Sequence, residues 1–120
     1  MRILLAHPNP EQRAALEKEL VLLGHDVEGT VEDGLDVLCH LLYFGSQAMA
    51  VVLQQHMPRC DGFDTLARLR GYAKFRDVRA IIVSDEPVDA SIISHTEALG
   101  GMFATSDALS AAVSQVALTM

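Results

Sequence analysis

The sequence predicts a single α/β domain built on a parallel five-stranded sheet. Three observations predict it. Short apolar runs of strand length alternate with stretches of helical periodicity along the 120 residues. The runs Ala48 to Gln54 and Arg79 to Ser84 are almost unbroken in apolar residues, as strands covered on both faces are. Glycines and prolines fall between the runs and the periodic stretches, where elements must stop.

The elements follow in order. Arg2 to Ala6 (RILLA) reads as a buried strand, and Pro8 and Pro10 end it because proline has no N–H for a ladder. From Glu11 onward Ala14, Ala15, Leu16, Leu20 and Leu23 recur at helical spacing, with Gly24 as the stop. His25 to Thr30 is a short strand with polar interruptions, placed at a sheet edge. Val31 to Phe44 is a second helix with Leu35, Leu38, Leu41 and Leu42 inward. Ala48 to Gln54 is the third strand, Phe63 to Tyr72 the third helix and Arg79 to Ser84 the fourth strand. Val88 to Leu99 is a helix, Gly101 to Thr105 the fifth strand, and Ser106 or Asp107 caps a last helix from Ala108 to Leu118. No linker, repeat or low-complexity segment interrupts the pattern. With five strands alternating with five helices, a flavodoxin-like doubly wound fold of strand order 2-1-3-4-5 is expected. Ligands of such sheets bind beyond the carboxyl ends of the strands, here His7-Pro8, Gln54-Gln55, Ser84-Asp85 and Thr105-Ser106.

Composition narrows the function. Half of the residues are hydrophobic, so the chain folds. No apolar stretch approaches the roughly 20 residues needed to span a bilayer, and MRILLAHP meets a proline too early for a signal peptide. A cytoplasmic protein without a membrane partner is expected. A net charge of −7 argues against nucleic-acid binding. Six of the nine basic residues lie between Arg59 and Arg79, and none lies beyond. Cys39 and Cys60 lack metal-type spacing; Cys39 reads as a packing thiol and Cys60 as packing or an incidental surface thiol. No nucleophile–base pair, glycine-rich phosphate loop or carboxylate pair stands at the strand ends, so no enzyme is expected.

The stretch LQQHMPRCDGFDTLARLR, residues 53 to 70, resembles the loop and third helix of the receiver domains of two-component response regulators. Met57-Pro58 and Asp61-Gly62 fit the family's spacing after its phosphorylated aspartate. RILLAHPNPEQRAALEKELVLLGHDV resembles the family's first strand, helix and second strand, while AIIVSDEP and LGGMFATS are similar to its fourth and fifth strands. The resemblance implies a site of four parts: an acceptor aspartate, an acidic pair that holds a divalent metal, a lysine, and a hydroxyl. At the matching positions stand Gln54, His7 and Pro8, Ser106 (or Thr105), and Ser84. Only the hydroxyl survives, together with the fifth-strand aromatic, Phe103. Glutamine cannot form an acyl phosphate, proline offers no ligand, and histidine suits transition metals better than magnesium.

The resemblance therefore implies a degenerate pseudo-receiver, with no cofactor, no catalytic residue and no metal. Its loop is expected to be kept for structure, with Pro58 and Gly62 shaping the backbone and Phe63 and Leu66 anchoring it. Gln54 is placed to bond Ser84. The alternative is a small-ligand or transition-metal sensor built on His7, His56 and Asp85. Family members commonly dock partners through the fourth helix, fifth strand and fifth helix. That implies a face made of Ile92, Leu109, Ala112, Val113 and Val116, taking a signalling or scaffold protein or a second copy of the chain.

Overall fold

The computed structural model describes Met1 to Thr119. Its elements are β1 (Arg2–Ala6), α1 (Pro10–Leu22), β2 (Asp26–Val31), α2 (Gly34–Tyr43), β3 (Ala50–Gln54), α3 (Gly62–Leu69), β4 (Arg79–Val83), α4 (Ala90–Ala98), β5 (Gly101–Ala104) and α5 (Leu109–Leu118). Short 3₁₀ turns cover Ala73–Phe75 and Ser106–Ala108. All strand pairs are parallel and their order is 2-1-3-4-5, as expected from the alternation. None of the described helices is long and apolar enough to cross a membrane.

Successive strand residues point to opposite faces, so the sheet separates two cores. Ile3, Leu5, Val52, Ile81 and Val83 meet Leu16 and Leu20 of α1 and the inner side of α5. Leu4, Ala6, Val51, Leu53 and Ile82 meet Val37 and Leu41 of α2 and Leu66 and Leu69 of α3. Chain order reverses between β1 and β3, which opens a crevice above the carboxyl ends of the strands.

Four expectations are corrected. Leu109, Ala112, Val113 and Val116 are buried against the sheet, so they form the inner stripe of α5 and not a docking face. The outward side is Ala111, Ser114, Gln115 and Leu118. The cap of the last helix is also different: the Thr105 hydroxyl accepts the Ala108 N–H and starts the 3₁₀ turn that precedes α5. Cys39, expected to pack, is exposed on α2, while Cys60 is the packing thiol, buried where it accepts the Thr65 hydroxyl. The second helix begins at Gly34, three residues later than its periodicity predicts, because Asp33 accepts the Asp36 N–H and caps it there.

Candidate functional site: a strand-end crevice without carboxylate at its centre

Four of the strands, β1, β3, β4 and β5, deliver residues to the crevice. His7 follows β1, and its N–H continues the ladder to the Val31 carbonyl at 3.0 Å. Its side chain is buried. Nδ1 accepts the Asn9 N–H at 3.0 Å, which leaves the proton on Nε2 when the ring is neutral. Burial, and next the Arg13 guanidinium, hold the imidazole below its ordinary value, although Gln12 and Asp85 pull the other way. The ring is therefore neutral at neutral pH. Pro8 comes next and offers nothing to a ligand. Asn9 caps α1 by accepting the Glu11 and Gln12 N–H groups.

Gln54 ends β3 and is half-buried. No hydrogen bond joins it to Ser84, contrary to expectation: the Ser84 hydroxyl donates to the Glu86 carbonyl at 3.0 Å. The neighbouring Asp85 carboxylate accepts the Ser106 N–H at 2.8 Å and also the Ser106 hydroxyl. Those two bonds hold the carboxyl below its usual range. Ser106 thus latches the β4 and β5 ends together. Phe103 on β5 is half-buried and packs toward the α2–α3 core. A pocket of about 240 Å³ lies between α1 and these loops, lined by His7, Gln12, Ala15, Leu16, Asp85 and Ser106.

The loop after β3 is held by bonds that leave no trace in the sequence pattern. Gln55, buried beside Gln54, accepts the Gly62 N–H through its carbonyl and the Phe63 N–H through its side chain. Arg59 stands at φ 66°, a left-handed conformation, and reaches across to Asp33 at 2.7 Å and Asp36 at 3.1 Å. This clamp ties the loop to the start of α2. Gly34 is required there, since a Cβ would lie 1.9 Å from the Thr65 hydroxyl oxygen. Asp61 of the Asp-Gly pair accepts the Asp64 N–H and caps α3. Leu66 anchors that helix in the core as expected, while Phe63 is half-buried and faces His95. The loop is a structural strap between β3, α2 and α3.

A divalent hard cation needs several oxygen ligands. The crevice supplies an imidazole whose Nδ1 is engaged, a proline, a neutral amide and a carboxylate already bonded twice by Ser106. These groups do not fit the metal that the family's chemistry requires. The sensor alternative fares no better, because His56 is exposed and pairs with Glu86 at 3.1 Å, apart from the pocket that His7 and Asp85 line. Among the described residues no group of three or more His, Cys, Asp or Glu side chains could hold a metal ion.

Sheet order and the place of the crevice are those of the CheY-like α/β fold. The similarity reaches particular proteins. A chemotaxis protein CheY homolog of Campylobacter jejuni is 24% identical over 98 residues, which cover 82% of this chain and 75% of that one. The signal receiver domain of a histidine kinase from Syntrophus aciditrophicus matches with a TM-score of 0.80 at 21% identity, over 95% of this chain and 87% of the other. A chain of the CheX–CheY–BeF3–Mg complex from Borrelia burgdorferi matches with a TM-score of 0.74 at 19% identity, over 88% and 77%. No protein-family model matches.

Proposed function

We propose that this chain is a pseudo-receiver: a cytoplasmic signalling domain of the response-regulator type that takes no phosphoryl group and acts by holding a protein partner. One observation carries the reading. The acceptor carboxylate, the acidic pair and the lysine are replaced together, by Gln54, by His7 and Pro8, and by Ser106. A carboxamide lacks the nucleophilic charge that attack on phosphorus needs. With His7 neutral and Asp85 bonded to Ser106, no cluster of like charges calls for a cation. The Ser84–Glu86 and Asp85–Ser106 bonds give the crevice one resting arrangement without a ligand. The Borrelia relative is seen in complex with a second protein, which supports partner binding as the mode of action. The partner face is proposed along α4, β5 and the outward side of α5, around half-buried Ile92 and exposed Ala111.

A two-dimensional NMR titration with beryllofluoride and magnesium tests the reading. The amides of Gln54, Ser84, Phe103 and Ser106 should not move. Saturable shifts at those four that depend on magnesium would overturn it.

A further inference from the structure

The opposite end of the molecule carries a second feature, which does not depend on whether the crevice accepts phosphate. In a parallel α/β domain every helix C-terminus lies at the end where the strands begin. Every large hydrophobic side chain that stands exposed among the described residues is at that end, Leu22, Tyr43, Phe44, Met49, Tyr72 and Leu118 among them. Between the starts of β3 and β4 and the ends of α3, α4 and α5 runs a groove of about 710 Å³. Met49, Arg70, Arg76, Arg79, Leu99 and Thr119 line it, and Asp77 is the one acidic residue on its wall.

Arg70, Arg76 and Arg79 stand together on one wall, whereas the other arginines without an ion pair among the described residues, Arg13 and Arg68, lie outside the groove. Arg2 and Arg59 each pair with two carboxylates. Arg70, Arg76 and Arg79 form no ion pair among the described residues. Arg70 is instead fixed by three carbonyls, donating to Leu99 at 2.6 Å, Val78 at 2.7 Å and Phe75 at 3.0 Å. Among the described residues the side chain of Arg79 reaches only the Thr119 carbonyl, at 3.5 Å. Burial, and then the nearness of Arg79, hold the Arg70 guanidinium below its ordinary value, with Asp77 opposing. The chain has 16 acidic and nine basic residues, yet among the described residues these three neighbouring arginines share one nearby carboxylate, Asp77, and none of them forms an ion pair with it.

We propose that this groove docks an acidic segment of a partner protein, one that carries aliphatic side chains beside its carboxylates. Guanidinium groups bind carboxylates through paired N–H donors, and arginine clusters are a recurring way of reading acidic motifs. Met49, Leu99 and Leu118 give aliphatic side chains an apolar wall and rim beside the charges. A short segment feels the local field, because screening limits charge effects to about 8–10 Å. An extended anionic surface, a membrane or a nucleic acid, would meet the whole chain's charge of −7 and be repelled.

The test uses fluorescence anisotropy with a labelled 12-residue peptide of Asp and Glu containing two leucines. It should bind saturably, and raising salt from 50 to 300 mM should weaken it several-fold. Arg76→Glu, at an exposed position, should weaken binding at least tenfold with the circular dichroism unchanged. Met49→Ser should weaken it threefold or more, and Arg68→Glu, which lies outside the groove, should change it less than twofold. Replacing the peptide's acids with Asn and Gln should abolish binding, and replacing its leucines with serine should weaken it. The proposal is overturned by no binding, by equal binding to the Arg76→Glu protein, by indifference to the leucines, or by tighter binding to phosphatidylserine vesicles than to the peptide.

Discussion

Glu28 was invisible to pattern reading and is the most strongly perturbed carboxylate in the molecule. β2 carries one extra residue at this point: Ile3 pairs with Val27 and Leu4 with Gly29, so Glu28 is bulged out of register. Its side chain is almost fully buried, yet it accepts from Arg2 at 2.9 Å, His40 at 2.8 Å, the Gln47 N–H at 3.0 Å and the Ser46 hydroxyl. Burial pushes the carboxyl up, but these donors outweigh it and bring it from an ordinary 4.5 down to about 2. At about 1.4 kcal/mol per pH unit this is worth up to about 3 kcal/mol to the folded state. The folded value is depressed, so the stabilisation is complete above pH 4.5 and disappears as pH falls toward 2. Glu28→Gln should therefore lower stability by about 2–3 kcal/mol at pH 7 and by much less at pH 3. Urea unfolding at both pH values checks this, and an equal loss at the two would contradict it. The site residues His7, Gln54, Ser84 and Ser106 were legible because each ends a strand, and strand ends can be read from apolar runs. Glu28, Gln55 and the Arg59 clamp were not, because a bulge, a buried amide and a left-handed arginine leave no periodic trace.

At the scale of elements the strands were placed within two residues, since nearly continuous apolar runs leave little choice. Helix α5 was placed correctly but faced wrongly. Its small and apolar residues spread around the helix, and hydrophobicity alone did not separate Leu109, Ala112, Val113 and Val116, which pack on Ile81 and Val83, from Ala111 and Leu118, which do not. A paired substitution measures the difference. Ala112→Glu buries a charge without a partner and should destabilise by about 3 kcal/mol or more. Ala111→Glu is on the exposed side and should stay within about 0.5 kcal/mol while weakening any partner held by α4, β5 and α5. Thermal melts of the two variants decide the facing, and equal melting temperatures would contradict it.

At the scale of the whole molecule, the parallel sheet gives the domain two unlike ends. The end where strands finish carries the crevice and the Met-Pro and Asp-Gly loop, with His7, Pro8, Gln54, Ser84 and Ser106 around it. The end where strands begin gathers arginines that form no ion pair among the described residues, and exposed apolar side chains. Gln55, Arg59 and Asp61 make that loop the strap that holds β3 to α2 and α3. The most direct measurement is the intact mass after incubation with acetyl phosphate and magnesium, for the natural sequence and for Gln54→Asp. The account predicts no phosphate on either, since the variant restores the nucleophile but leaves His7 and Pro8 in place of metal ligands. A single added phosphate on the natural sequence would contradict it.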